Sequence, residues 1–194
     1  MRNHGAVPGR PLLAAVLLAG LLIPTSGAAQ SFLTVHGERW TLDSGHLGAV
    51  EARGGVGITV GTAGGGRSTG VTASWVPEGD VEPGWIGLQA RRGFSGALGP
   101  LRLSGEAGLA GLNMRVGNRH RTIEACRAQG GCSFESADYE SGWGMGGTIA
   151  GTAAVRLSSD IGVVLRHSRM RLLLGANGGE TFRSWSLGLT FGLN

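Results

Sequence analysis

The chain ends Ser184-Trp185-Ser186-Leu187-Gly188-Leu189-Thr190-Phe191-Gly192-Leu193-Asn194, and this stretch decides the fold. Trp185, Leu187, Leu189, Phe191 and Leu193 share one parity; Ser184, Ser186, Gly188, Thr190, Gly192 and Asn194 hold the other. Successive side chains of a strand point to opposite faces, so this period of two is a strand with one greasy and one small or polar face. A helix would scramble it.

Upstream segments repeat the pattern. Val50, Ala52, Val56, Ile58 and Val60 alternate with Glu51, Arg53, Gly55, Gly57 and Thr59. Trp143, Met145, Ile149, Ala153, Val155 and Leu157 oppose Thr148, Thr152 and Arg156; Leu101, Leu103, Ala107 and Leu109 oppose Arg102, Ser104 and Glu106. Shorter versions run through Val71, Ala73 and Trp75 and through Ile86, Leu88 and Ala90. From Ile161 the apolar parity holds through Val163 and Leu165, then switches by Met170 and Leu172, for which a β-bulge near His167 to Arg169 is the expected cause. Phe32 to Leu42 alternates poorly. The pattern predicts an all-β chain of about eight strands.

The connections sort into two sets. Gly61 to Arg67, Ser95 to Pro100 and Ser158 to Asp160 are short turns, whereas Asp43 to Leu47, Pro77 to Pro83, Val116 to Gly142 and Gly175 to Glu180 fall at the other end, one of them long. Short turns on one side and longer loops on the other is the layout of a closed antiparallel up-and-down transmembrane barrel.

The beginning of the chain reads as a secretory leader. Arg2, His4 and Arg10 precede an apolar run from Leu12 to Ile23, then Pro24, Thr25, Ser26, Gly27, Ala28 and Ala29. That run is shorter than the ~20 residues a spanning helix needs. Residues 1–29 are expected to be a cleaved signal peptide and 30–194 one barrel domain. No later apolar run is long enough to span a membrane as a helix, so membrane residence would require a barrel.

Composition agrees. Glycine supplies 38 of 194 residues without a collagen period, and a tightly curved barrel uses glycine where the wall is crowded or bent. All 17 basic residues are arginine. With no lysine, Schiff-base and phosphate-loop chemistry are excluded. Loss of Arg2 and Arg10 with the leader leaves fifteen arginines against thirteen acids, too even a balance to imply nucleic-acid binding.

Cys126 and Cys132 enclose Arg-Ala-Gln-Gly-Gly. In an exported chain such a pair reads as a local disulfide pinning a loop; the alternative is a metal site with His120, a poor ligand set without C-x-x-C spacing. No metal and no cofactor are expected.

If the apolar parity faces lipid, the interior receives Glu51, Arg53, Arg91, Arg102, Glu106, Arg156 and Arg166. An eight-stranded barrel is just wide enough to be filled by side chains, so these charges are expected to pair as a plug, with a polar conduit as the rival reading. Trp75, Trp85, Trp143 and Trp185 fall near the loop ends, where an aromatic girdle meets the lipid headgroups. The long loop places Arg115, Arg119, Arg121 and Arg127 in a basic stretch that suits lipopolysaccharide phosphates or simply faces solvent.

The pattern resembles the outer-membrane β-barrel families typified by OmpA-type transmembrane domains, OmpX and OmpW, and the resemblance covers nearly all of the mature chain. The C-terminal strand is similar to the segment by which such proteins are recognised for insertion, though Phe191-Gly192-Leu193-Asn194 stands where a terminal Phe is typical. The resemblance implies an outer-membrane location, contact with outer-membrane lipid and lipopolysaccharide, dependence on barrel insertion machinery, and a monomer. The expected role is non-enzymatic, structural or in surface interaction through the loops; a narrow pore, a hydrophobic-ligand carrier or a soluble periplasmic barrel are the alternatives. Leu165-Arg166-His167-Ser168-Arg169 holds the only adjacent His and Ser and is similar in part to the His-x-Ser-Asn of outer-membrane lipid A deacylases, with Arg169 where that family has Ser. Neighbours in a strand point to opposite faces, which separates His167 from Ser168.

Overall fold

The computed structural model describes residues 29–44, 48–49, 53–79, 83–115 and 141–193. Residues 1–28, which hold most of the expected signal peptide, and Glu51, His120, Cys126, Cys132, Arg119, Arg121 and Arg127 lie outside the described residues.

Eight long strands form the wall: β1 (Gln30–Ser44), β3 (Arg53–Gly64), β4 (Arg67–Val76), β5 (Gly84–Leu98), β6 (Leu101–Arg115), β7 (Gly142–Arg156), β8 (Ile161–Gly175) and β9 (Thr181–Leu193). A two-residue strand, β2 (Gly48–Ala49), pairs with the end of β1. Every pairing is antiparallel and sequential, and β1 closes on β9 from Ser31↔Leu193 to Asp43↔Thr181. Closure leaves the wall no free edge, so its backbone donors and acceptors meet within the sheet.

The register fixes the size of the barrel. A row of paired residues starting at Arg183 passes Arg169, Ile149, Ala107, Arg92, Thr69, Thr62 and Ser31, and returns to β9 at Leu193, ten residues along. Ten residues of strand are ~33 Å, against ~38 Å for eight strand spacings, which sets the tilt near 40°.

Turn chemistry separates the two ends. Gly65 and Gly66 both have positive φ, 58° and 74°, as a two-residue type I′ hairpin demands. At the next short turn Gly99 has φ 59° and Pro100 follows, the II′ arrangement in which proline supplies the negative φ. Residues 157–160 make the third, with Leu157 N donating to Ile161 O at 2.9 Å.

The inner face is layered. From the short-turn end it carries a mouth, a charged middle and an apolar cap. The cap consists of Trp40, Leu42, Val76, Trp85, Ala110, Leu112, Met114, Met170, Leu172 and Phe182, all buried. Trp85 meets Trp40 and Phe182 edge-on at 6.1 and 5.9 Å between ring centroids.

This cap corrects the expected bulge. β8 pairs with β9 in unbroken register from Ile161↔Phe191 to Arg171↔Thr181, so no residue slips near His167 to Arg169. Val164, Arg166, Ser168, Met170 and Leu172 all face inward. The apolar parity switches because the interior turns apolar there, while the backbone runs on. The irregularity in β8 lies nearer the loops, where Met145 and Gly146 pair with Leu174 and Leu172 and pass over Leu173. Phe32 to Leu42 belongs to a full fifteen-residue strand.

Candidate functional site

The charged middle layer is assembled from side chains on seven of the eight long strands, β1 and β3 to β8. Arg91 on β5 is buried, and all three of its nitrogens donate: Nε to Glu106 Oε2 at 3.2 Å, Nη1 to Gln89 Oε1 at 2.6 Å and Nη2 to Thr72 Oγ1 at 2.6 Å. Gln89 Oε1 also accepts from Thr148 Oγ1 at 3.2 Å. Across the lumen, Arg166 on β8 donates through Nε to Thr152 Oγ1 at 3.3 Å and through Nη1 to Thr59 Oγ1 at 2.9 Å.

Two threonines at the centre give the network a direction. Thr72 Oγ1 accepts from Arg91 and, at 3.3 Å, from Arg166, which uses both lone pairs and leaves its proton for Thr59 Oγ1 at 2.7 Å. Thr59 Oγ1 therefore receives two protons, and its own goes to His36 Nε2 at 3.1 Å. An accepting Nε2 puts the ring proton of neutral His36 on Nδ1, which stands 3.2 Å from Glu38 Oε1 at ion-pair distance but without hydrogen-bond alignment. Glu38 is held more firmly by Trp40 Nε1 at 2.6 Å and Ser74 Oγ at 3.1 Å.

In this layer two carboxylates, Glu38 and Glu106, face two guanidiniums, Arg91 and Arg166. Charge is balanced inside the layer, and each charged group finds polar partners, which is the condition for enclosing charge. Glycine makes the room: a Cβ on Gly57 would clash with the edge of the His36 ring and with Glu38.

Not every charge expected in the lumen joins this network. Arg91, Glu106 and Arg166 do. Arg53 sits at the loop end, where Nη2 donates to Pro77 O at 2.7 Å. Arg102, half-buried, and Arg156, exposed, instead line a recess of about 100 Å³ at the short-turn end together with Phe32, Asp160 and Thr190. His36, Glu38, Thr59 and Thr72 were missed by sequence reasoning. The signal available was His36, Glu38 and Trp40 at spacings of two.

The tryptophans divide as well. Trp75 and Trp185 face outward and are more than half exposed, and Trp143 is half-buried on the outward parity. Trp85 is a correction: it lies inside the apolar cap, because β5 turns that parity toward the lumen. Arg115, at the end of β6, is exposed.

His167 and Ser168 occupy opposite sides of the wall. Ser168 is buried and shares a hydrogen bond with Ser184 Oγ at 2.7 Å. His167 faces outward, stacks on Trp185 at 4.4 Å, and has Nδ1 3.1 Å from Ser184 O.

Among the described residues the outer face carries twenty large apolar side chains between 42 and 77 % exposed, among them Val35, Ile58, Phe94, Leu109, Ile149, Leu165, Leu187 and Leu189. Scattered exposed hydrophobes are ordinary on a soluble domain; a continuous belt of them is not. The wall is thus inverted, greasy outside and charged within.

No protein-family model matches the sequence. No curated protein matches it either. Solved structures do. Neisserial surface protein A is similar with a TM-score of 0.64 at 11 % identity, over 86 % of this chain and all of that one. The attachment invasion locus protein Ail of Yersinia pestis, solved with the heparin analogue sucrose octasulfate, gives 0.58 at 9 %, over 85 % and 99 %. The outer membrane protein OprG of Pseudomonas aeruginosa gives 0.50 at 10 %, over 85 % and 96 %. At these identities the likeness is one of fold, and the chain is a closed eight-stranded antiparallel barrel of the kind found in these outer-membrane proteins.

Proposed function

We propose that this protein is a non-enzymatic integral outer-membrane barrel whose interior is a packed, ion-paired plug and whose role is structural or in surface contact at its long-loop end. The observation that carries this reading is the inverted wall, with the apolar belt outside and the ion-paired layer inside. Such a surface needs hydrocarbon around it. The long loops then face outward from the cell and the short turns face the periplasm. Monomeric insertion, assisted by barrel insertion machinery, follows from the same reading.

The alternatives fit less well. A pore needs an open bore, yet the Arg91 and Arg166 layer and the Trp40, Trp85 and Phe182 cap fill the lumen in series. A hydrophobic-ligand carrier needs an empty apolar interior, and here side chains occupy it. A soluble periplasmic barrel would turn its greasy parity inward, the reverse of the observed wall. An acyl hydrolase built on His167 and Ser168 would need both groups on one side of the sheet.

Planar-bilayer recording of the refolded protein tests the plugged reading. Silence is expected, with lipid A acylation unchanged on overexpression. Steady conductance altered by Arg102 or Arg156 substitution would establish the pore instead.

A further inference from the structure

We propose that the outer face of β3, β4 and β5, in its short-turn half, seats the phosphate of a glycerophospholipid from the leaflet on that side, through Arg67 and Arg92 with Thr62 and Thr69; the inference rests on the membrane reading above. The register brings the four together. Arg92 on β5 is the cross-strand partner of Thr69 on β4, Thr69 is the partner of Thr62 on β3, and Arg67 is the next outward residue below Thr69. Both arginines are exposed on the outward parity, and Ser31 on β1 continues the row beyond Thr62.

Height makes this row costly. From Leu193 to Arg183 the ten residues climb ~25 Å at the tilt set by the register, which is the height of the apolar band of such barrels. Down the row of paired residues from Arg183, Arg92 is the fourth of eight steps and Leu193 the last, so Arg92 stands at half that height, ~12 Å up. An arginine facing hydrocarbon near mid-depth costs far more than one at the border. No carboxylate offsets it. The outward residues of β3, β4, β5 and β6 are all described, and none is Asp or Glu. Gaps in the described chain between β1 and β9 fall at the opposite, long-loop end, and residues 1–28 contain no Asp or Glu.

The order of side chains selects a lipid over a second protein. Immediately above the polar row runs an unbroken apolar one, Leu109, Ala90, Val71, Val60 and Leu33. Below it stands Arg67 beside its cross-strand partner Phe94, and the turn through Gly65 and Gly66 closes that end of the wall. Apolar toward mid-membrane and cationic toward the short turns is the polarity of a lipid of that leaflet, tails inward and head at the border. The long side chain of Arg92 bends along the row toward Arg67, as arginines at lipid-facing positions do. Two guanidiniums then present paired donors to one phosphate, and the threonine hydroxyls add further donors.

The test is amide NMR of the isotope-labelled full chain, refolded in a maltoside detergent that carries no phosphate and titrated with dioleoylphosphatidylglycerol, dioleoylglycerol or inorganic phosphate. Heat-modifiable gel mobility verifies folding of each variant. Phosphatidylglycerol is expected to shift the amides of Gly66 to Thr69 and Arg92 to Phe94 saturably, with an affinity about tenfold above that of either other probe. Arg67→Ser with Arg92→Ser should lower that affinity about tenfold, and Arg92→Ser alone about threefold should the double variant not fold. Arg67→Lys with Arg92→Lys should fall between, because charge survives but the paired geometry does not. Arg169→Ser, on the outer face of β8, should leave these shifts within twofold. Equal affinity for the two lipids, undiminished affinity in the serine variants, or inorganic phosphate binding as tightly as the lipid would overturn the proposal. So would shifts at these amides that grow with protein concentration in the absence of lipid, which would assign the strip to a second copy. A chain that never folds into micelles contradicts the membrane reading; one that folds without phosphate preference contradicts only this site.

Discussion

Glu106 on β6 accepts from Arg91 Nε at 3.2 Å, an ion pair almost wholly enclosed by the barrel wall. Removing one partner of such a pair leaves the other charged and unpaired. Glu106→Gln is therefore expected to cost ~3–5 kcal/mol, while replacing both Arg91 and Glu106 by apolar residues of matching volume should cost far less. Urea unfolding in detergent micelles checks this; a single substitution as mild as the double one would show the pair to be hydrated.

Thr59 carries more of the network than its size implies, since it accepts from Arg166 and Thr72 and donates to His36. Thr59→Val keeps the shape and deletes those contacts, for an expected loss of ~1–3 kcal/mol, which Thr59→Ser should largely restore. The direction of the chain predicts His36 as the Nδ1-protonated neutral tautomer. Nitrogen-15 chemical shifts of the imidazole read this directly, and an Nε2-protonated ring would reverse the assigned order.

Gly57 faces His36 and Glu38 with no space for a methyl group. Gly57→Ala should destabilise the barrel by ~1–3 kcal/mol through overpacking. Gly37, on the neighbouring strand and facing outward, meets nothing within 4 Å at an added Cβ, so Gly37→Ala should be close to neutral.

The tryptophans separate inside from outside. In brominated-lipid vesicles, emission from Trp75 and Trp185 should be quenched, while Trp40 and Trp85, at 0 and 3 % exposure, should be protected. Single-tryptophan variants assign the signals. Trp85→Ala should also cost ~3–5 kcal/mol by opening a cavity in the cap.

How much of this was legible in the sequence depends on where a strand crosses the layers. β9 and the middle of β3 alternate cleanly because their outward residues meet the belt and their inward ones meet polar neighbours. β1 blurs because Arg39 faces out while Trp40 and Leu42 face in, so apolar no longer means outside. The same inversion misplaced Trp85 and made Met170 and Leu172 read as a slip. Ala110, Leu112 and Met114, apolar on the inward parity of β6 and following the outward Leu109, repeat the signal on another strand. Two strands switching at the same end is what a cap looks like in sequence. The network was half visible: Arg91, Glu106 and Arg166 follow from parity alone, whereas the threonines that join them are ordinary strand residues until the register brings Thr59 beside Thr72.

The most direct test of the inverted wall is density-gradient separation of cell envelopes after expression, followed by gel mobility with and without boiling. The account predicts recovery in the outer-membrane fraction, release only by detergent, and a compact unboiled band that shifts on heating. Recovery in the soluble fraction without detergent, or a single band indifferent to boiling, would contradict it.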